Sequence, residues 1–140
     1  MFVVDASVFS SVLVKDEFYD RARNFLRRYF STNLVTLDFA LIEVANVLWK
    51  HTFVLKRIPL EVFTKLVDSI EPLIRSSTSR IYESRTILRK ALVNSIELGI
   101  TVYDSLYVTL ALDLGYKLAT FDTKLVEILE SKGLRIAVVP

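Results

Sequence analysis

The chain contains no cysteine and a single histidine. That excludes disulfides and thiolate chemistry and disfavours a zinc site, which draws on those two residues. No apolar run reaches the ~20 residues that a membrane-spanning helix requires. The apolar start, "MFVVDASVF", lacks a basic leader segment and is interrupted by Asp5. It is a poor signal peptide, and a cytosolic location is the expectation. Glutamine is absent and methionine occurs once, a bias found in thermophilic proteins that a short chain also reaches by sampling. Excess charge of one sign is lacking too: 18 basic against 16 acidic residues leave a net +2. That total argues only weakly for nucleic-acid binding, unless several acids are gathered in one cleft and leave the rest of the surface more basic.

Apolar residues, by contrast, are abundant. At 52% with a mean hydropathy of +0.41, the chain can fill a core and leave apolar surface for a partner, and disorder is excluded. Repeats, low-complexity tracts and linkers are missing, so residues 1–140 form one domain. "FVVD" is a β-branched run followed by a helical "SVFSSVLV". Over 17–30, Phe18, Ala22, Phe25, Leu26 and Tyr29 fall three and four apart and make one helical face. "LVTL" at 34–37 is a second strand, after which Asp38 caps a helix running to about Phe53. Pro59 stands near the start of the next helix and Pro72 closes it. "SRIY" at 79–82 is a short strand, the least marked of the set. A helix from about Glu83 ends at Leu98, before Gly99, and another begins near Asp104. Strand "KLAT", helix "TKLVEILES" and strand "RIAVV" complete the order. Strands alternate with helices and are uniformly apolar, the pattern of a parallel sheet covered on both faces.

Four acids stand in apolar surroundings, where an unpaired carboxylate is costly. Asp5 closes the first strand and Asp122 follows the strand "KLAT", at the sheet edge where α/β proteins bind ligands. Both also suit helix N-caps. Asp104 fits a capping box with Thr101. Glu43 lies in a helix that is otherwise nearly all apolar from Phe39 to Trp49, sharing a narrow polar stripe with Asn46 and Lys50. The alternative for Glu43 is a solvated stripe. A common explanation is a shared hard cation, Mg²⁺ or Mn²⁺: the donors are all oxygen, and a divalent ion offsets their mutual repulsion. His51 suits a structural place on the same helix. The arginines at 21, 23, 27, 28, 75, 80, 85 and 89, with Lys90, read as solvated helix faces, RNA contact being the alternative.

These stretches together resemble the PIN-domain ribonucleases, specifically the VapC toxins of toxin–antitoxin pairs, from Val3 to about Val138. "VVDASVF" resembles the first motif, with Asp5 and the Ser7 hydroxyl two residues on. "LIEVANVLWK" resembles the second, with Glu43 and Asn46. "TVYDSLYVTLAL" resembles the third, with Asp104 and Tyr107, and "LATFDTKL" the fourth, with Thr120 and Asp122. The resemblance implies a three-layer α/β/α sandwich with a five-stranded parallel sheet, the acids converging at its carboxyl edge. It implies Mg²⁺- or Mn²⁺-dependent cleavage of single-stranded RNA, homodimerisation and inhibition by a cognate antitoxin. On that reading Asp5, Glu43, Asp104 and Asp122 are catalytic metal ligands, and Ser7, Asn46 and Thr120 orient them or a water.

Two other readings are open. A phosphotransfer domain of the receiver or haloacid-dehalogenase kind also gathers aspartates at strand ends. The latter wants a second Asp where this chain has Ser7, and a receiver wants adjacent acids that "VVDAS" lacks. A PIN-fold RNA-binding or scaffold protein would keep the fold without cutting. The aromatics Phe18, Tyr19, Phe25 and Phe63 on amphipathic helices are candidates for a dimer or partner surface, or for the core.

Overall fold

A computed structural model of the chain describes residues 1–30 and 33–140. Five parallel strands make one sheet in the order β3-β2-β1-β4-β5. They are β1 (Phe2–Val4), β2 (Leu34–Leu37), β3 (Arg80–Tyr82), β4 (Lys117–Ala119) and β5 (Ala137–Val138). Val3 pairs with Val35 on one side and Leu118 on the other, and Leu118 pairs in turn with Ala137. β1 is therefore the central strand, and Val3, Val4, Leu34, Leu37 and Leu118 are shut off from solvent on both faces, which is why these stretches are uniformly apolar. The one polar residue within β2, Thr36, is equally buried and donates its hydroxyl to the Val4 carbonyl at 2.6 Å. That bond ties down the end of β1 just before Asp5.

Strands β1, β2 and β3 progress one way across the sheet, and the chain then returns past β1 to place β4 and β5 on its other side. With right-handed crossovers, the helices before and after that reversal cover opposite faces. On the first lie α1 (Ala6–Val14), α2 (Tyr19–Arg28), α3 (Phe39–Trp49), α4 (Leu60–Val67) and α5 (Ile70–Ser77), with α1 packed on α2, α3 and α5. On the second lie α6 (Leu88–Leu98), α7 (Val102–Leu114) and α8 (Thr123–Ser131), with α6 against α7 and α7 against β1 and β4. The result is a three-layer α/β/α sandwich whose topological switch falls between β1 and β4. Gly99 (φ +69°) and Gly115 (φ +66°) end α6 and α7 in the left-handed conformation, and the chain enters α7 and β4 from these turns.

Two local expectations, the Asp38 cap and the Pro72 stop, need correction, and other bounds become more definite. Asp38 does not cap α3: its backbone is itself helical and its carboxylate instead accepts from the Ser84 amide at 2.9 Å and the Ser84 hydroxyl. Its burial alone would raise its pKa, but the Ser84 bonds, with the Phe39 and Asp38 amides, outweigh that and hold it low. α3 ends at Trp49 and continues to Val54 as a π-helical turn. Pro72 does not close a helix but sits in the first turn of α5, where its missing amide proton costs little. The break comes earlier, between Val67 and Ile70. The segment from Glu83 opens with a 3₁₀ turn at Ser84–Thr86 before α6 begins at Leu88, and α7 starts at Val102, two residues before Asp104. Phe18, Phe25 and Phe63 pack against the core: Phe18 stacks on Phe121 with centroids 4.6 Å apart, and Phe25 meets Phe2 at 5.1 Å.

Candidate active site

At the carboxyl edge of the sheet, beside the switch between β1 and β4, lies a cleft of about 570 Å³. Asp5, Ser7, Glu43, Asn46, Asp104 and Asp122 all line it. Four separate elements supply the acids. Asp5 is the residue between β1 and α1, Glu43 is on the second turn of α3, Asp104 is in the first turn of α7, and Asp122 is the N-cap of α8. Thr120 is not on the wall; it is fully buried below it. Lys50 and His51 lie outside the cleft lining, and among the described residues no lysine, arginine or histidine lines it.

The strand-end acids have double roles. The Ser7 amide and hydroxyl both donate to Asp5 Oδ1, the amide at 2.8 Å, so Asp5 caps α1. Ser7 Oγ in turn accepts from the Phe121 amide at 2.9 Å, and the Asp5 amide donates to the Ala119 carbonyl at 3.1 Å. The first and fourth motifs are thus pinned to each other through one serine hydroxyl. Thr120 Oγ1 accepts from the Asp122 amide at 3.0 Å, and the Thr120 side chain also bonds Asp5. Asp122 Oδ1 accepts from the Leu125 amide at 3.0 Å, which caps α8.

Asp104 realises half of the capping box that its spacing from Thr101 suggests, its carboxylate meeting the Thr101 hydroxyl rather than the Thr101 amide. Its amide donates to Thr101 Oγ1 at 3.1 Å, and that hydroxyl lies 2.9 Å from Asp104 Oδ2. Glu43 takes a partner that its sequence neighbours do not suggest. Tyr107, one turn beyond Asp104 on α7 and buried, donates its hydroxyl to Glu43 Oε1 at 2.6 Å. The aromatic in the third motif was visible, but its pairing across 64 residues with an acid on another layer had no signal in local spacing. Ser10, one turn past Ser7 on α1, also lines the cleft; its buried hydroxyl has no hydrogen-bond partner among the described residues.

The electrostatics are those of like charges held close in a poorly solvated place. Burial pushes the Asp5 carboxyl up to about 6 against its Ser7 and Thr120 bonds, and Asp104 adds repulsion. Burial pushes Glu43 up to about 7, with Tyr107 opposing and Asp5 and Asp104 adding to the rise. Asp104 is raised by burial and by the charge of Asp122. All four acids are therefore linked by repulsion, and among the described residues none has an ion-pair partner.

As the side chains stand, no three His, Asp or Glu groups among the described residues are close enough together to ligate one ion. The donors are gathered; a closed ligand shell is not. Their chemistry nevertheless suits a hard divalent cation, being all oxygen with no basic group on the wall to compete. Glu43 and Asp104 each use one oxygen in the bonds to Tyr107 and Thr101, and a carboxylate has a second to offer.

Residues 2–129 match the family model described as "PIN domain". The chain is 34% identical over 126 residues to Ribonuclease VapC3 of Pyrobaculum aerophilum, covering 89% of this chain and 92% of that protein. Its fold matches the crystal structure of PAE2754 from Pyrobaculum aerophilum with a TM-score of 0.72, at 20% identity, over 99% of this chain and 89% of the other. Motif order, cleft geometry and these likenesses agree, and the chain belongs to the PIN-domain family and, within it, to the VapC group.

Proposed function

We propose that the protein is a divalent-cation-dependent endoribonuclease that cleaves single-stranded RNA, and the toxin of a toxin–antitoxin pair. The observation that carries this reading is the convergence of Asp5, Glu43, Asp104 and Asp122 from four elements on one cleft without a basic residue on its wall. The relative named Ribonuclease VapC3 supports it independently.

The four carboxylates would hold Mg²⁺ or Mn²⁺, directly or through water. When bound, such a cation supplies a more acidic water and neutralises charge at the phosphate and leaving oxygen. Ser7 and Thr120 fix the rotamer of Asp5 and the backbone of Asp122, and Tyr107 fixes Glu43, so these hydrogen bonds pre-position the acids. Asn46 adds a neutral amide on the α3 wall that can orient a water or the substrate. A phosphotransfer reading is less well served, because the position two after Asp5 is a serine engaged in holding that acid.

Purified protein should cut labelled single-stranded RNA with Mg²⁺ or Mn²⁺ and stop with chelator. Asp5→Asn should abolish cleavage, because a neutral amide is a poorer ligand while it can still accept the Ser7 amide. Cleavage that survives excess EDTA, or undiminished cleavage by Asp5→Asn, would defeat the mechanism.

Partner binding and homodimerisation belong to the same proposal and rest on exposed apolar residues. Trp49, Phe53 and Leu60 are exposed around the end of α3, and Leu88, Leu92, Val93 and Ile96 on α6. Light scattering at micromolar concentration should give a dimer, and a monomer would count against it. Co-expression with the product of the neighbouring gene should give a complex with an antitoxin, and two separately purifying proteins would count against that partner.

A further inference from the structure

The acidic cleft has a second chemical character that holding a cation does not use. Beside the acids its lining is aromatic and aliphatic: Phe39, Ile42 and Val47 from α3 and Tyr103 from α7. Phe39 and Tyr103 stack on each other, centroids 5.4 Å apart and planes 12° from parallel. Tyr103 nevertheless keeps 56% of its surface exposed and Ile42 keeps 65%. The stack therefore has one covered side and one open side. Two large apolar residues of one cleft are thus left open to solvent, next in the chain to Asp104 and Glu43. Asn46, on the same wall one turn from Ile42, has both a donor and an acceptor to offer.

We infer that the open face of Tyr103, flanked by Ile42 and Asn46, is a stacking subsite for one unpaired nucleobase adjoining the phosphate held at the acids. This rests on the nuclease reading above and adds to it where the base goes. Charge selects this occupant. The apolar wall has no cation for a phosphate, whereas the divalent ion of the nuclease reading would draw the phosphate to the acids, and the flat neutral part of a nucleotide matches the flat neutral wall. A stack on an aromatic ring tolerates any base, because every base has a π-face, and the Asn46 amide is the group in reach for discriminating base edges. Paired bases are already stacked within a duplex and cannot lie on Tyr103, so the subsite also favours single strands.

The test measures binding, separately from cutting. Fluorescence anisotropy of a short labelled single-stranded RNA is followed with Mg²⁺ in the Asp5→Asn background, where no cleavage is expected. Adding Tyr103→Ala should weaken binding about tenfold, the usual worth of one base stack, whereas Tyr103→Phe and Tyr103→Trp should stay within about twofold. In a series of RNAs each missing one base, a single position should lose about tenfold with Tyr103 present and nothing further with Tyr103→Ala. Wild-type affinity in Tyr103→Ala overturns the subsite, as does an equal loss in Tyr103→Phe, or missing-base losses independent of Tyr103. If Tyr103→Ala does not fold, a tenfold loss in the well-folded Tyr103→Trp is the overturning result. RNA binding that ignores Tyr103, with a protein partner lost from Tyr103→Ala, would assign the face to that partner and overturn the subsite. The two readings fail separately. Cutting by wild type with Tyr103-independent binding removes only the subsite, and Tyr103-dependent binding without cutting removes only the nuclease.

Discussion

Tyr107 on α7 donates its hydroxyl to Glu43 on α3 at 2.6 Å, joining helices from opposite faces of the sheet over the end of β1. This bond opposes the rise in the Glu43 pKa that burial causes. Without it a half-buried carboxylate would lose both its orientation and its main compensation. Tyr107→Phe should lower cleavage by about tenfold or more, as loss of a supporting partner at a metal site does. It should also destabilise the fold by about 1–2 kcal/mol. Initial rates at saturating Mn²⁺ and urea melts check the two effects, and an unchanged rate would mean that Glu43 needs no fixed orientation.

The cation-free protein should become less stable as pH rises. Glu43 is pushed up to about 7 and Asp5 to about 6, whereas unfolded carboxyls titrate near ~4. Between those values the native state keeps protons that the unfolded chain has released, so stability falls with rising pH and the full penalty is present above about 7. Thermal melts in EDTA should give a higher Tm at pH 5 than at pH 8. Saturating Mn²⁺ should flatten that slope and stabilise by roughly 2.7 kcal/mol at a hundredfold excess over its dissociation constant. A Tm that rises from pH 5 to pH 8 in EDTA would mean that burial and mutual repulsion do not hold the Asp5 and Glu43 carboxyls up.

Asp104 separates the two uses of a carboxylate at a helix start. It has the capping geometry with Thr101, yet burial and the charge of Asp122 raise its pKa. An asparagine keeps an oxygen for Thr101 and removes the charge. Asp104→Asn should therefore raise the Tm in EDTA at pH 8, lower the stabilisation by Mn²⁺, and abolish cleavage. A lower Tm in EDTA with no Mn²⁺ shift in the wild type would leave Asp104 as an ordinary cap, whose charge is worth only a fraction of a kcal/mol to about one.

Ser10 makes the simplest stability test. Its buried hydroxyl lacks a partner among the described residues, and alanine is the better helix former. Ser10→Ala should stabilise by about 0.5–1 kcal/mol, roughly 2–4 °C in Tm, by calorimetry. A destabilised variant would mean that the hydroxyl is bonded in solution, with a bridging water as the partner.

Much of this architecture was legible because its signals are local. The β-branched runs, the helical face of Ala22, Phe25, Leu26 and Tyr29, and the glycine stops at 99 and 115 all act within a turn or two of themselves. Even the short β3 at Arg80–Tyr82 was visible as "SRIY". The four acids were legible as a set, and they do share one cleft. What escaped depends on distant residues. Asp38 looks like a cap from its neighbours but is claimed by Ser84, 46 residues on. Glu43 looks like part of a stripe ending in Lys50 but is claimed by Tyr107. Pro72 misled for a different reason: a proline suits a helix's first turn as well as its end, and only the preceding break at Asp68 and Ser69 decides which.

The return of the chain past β1 sets an order of events during synthesis. β1 emerges from the ribosome first, but its neighbour on one side, β4, is more than a hundred residues later, and the hydroxyl of Ser7 waits for the amide of Phe121. No partial chain that stops at the end of β4 contains Asp122, and none that stops before α7 has Tyr107 to hold Glu43. Contacts so far apart in sequence also close slowly. On the proposed reading, a protein whose job is to cut RNA is thus without a complete set of site acids until the chain has been made through β4 and into α8.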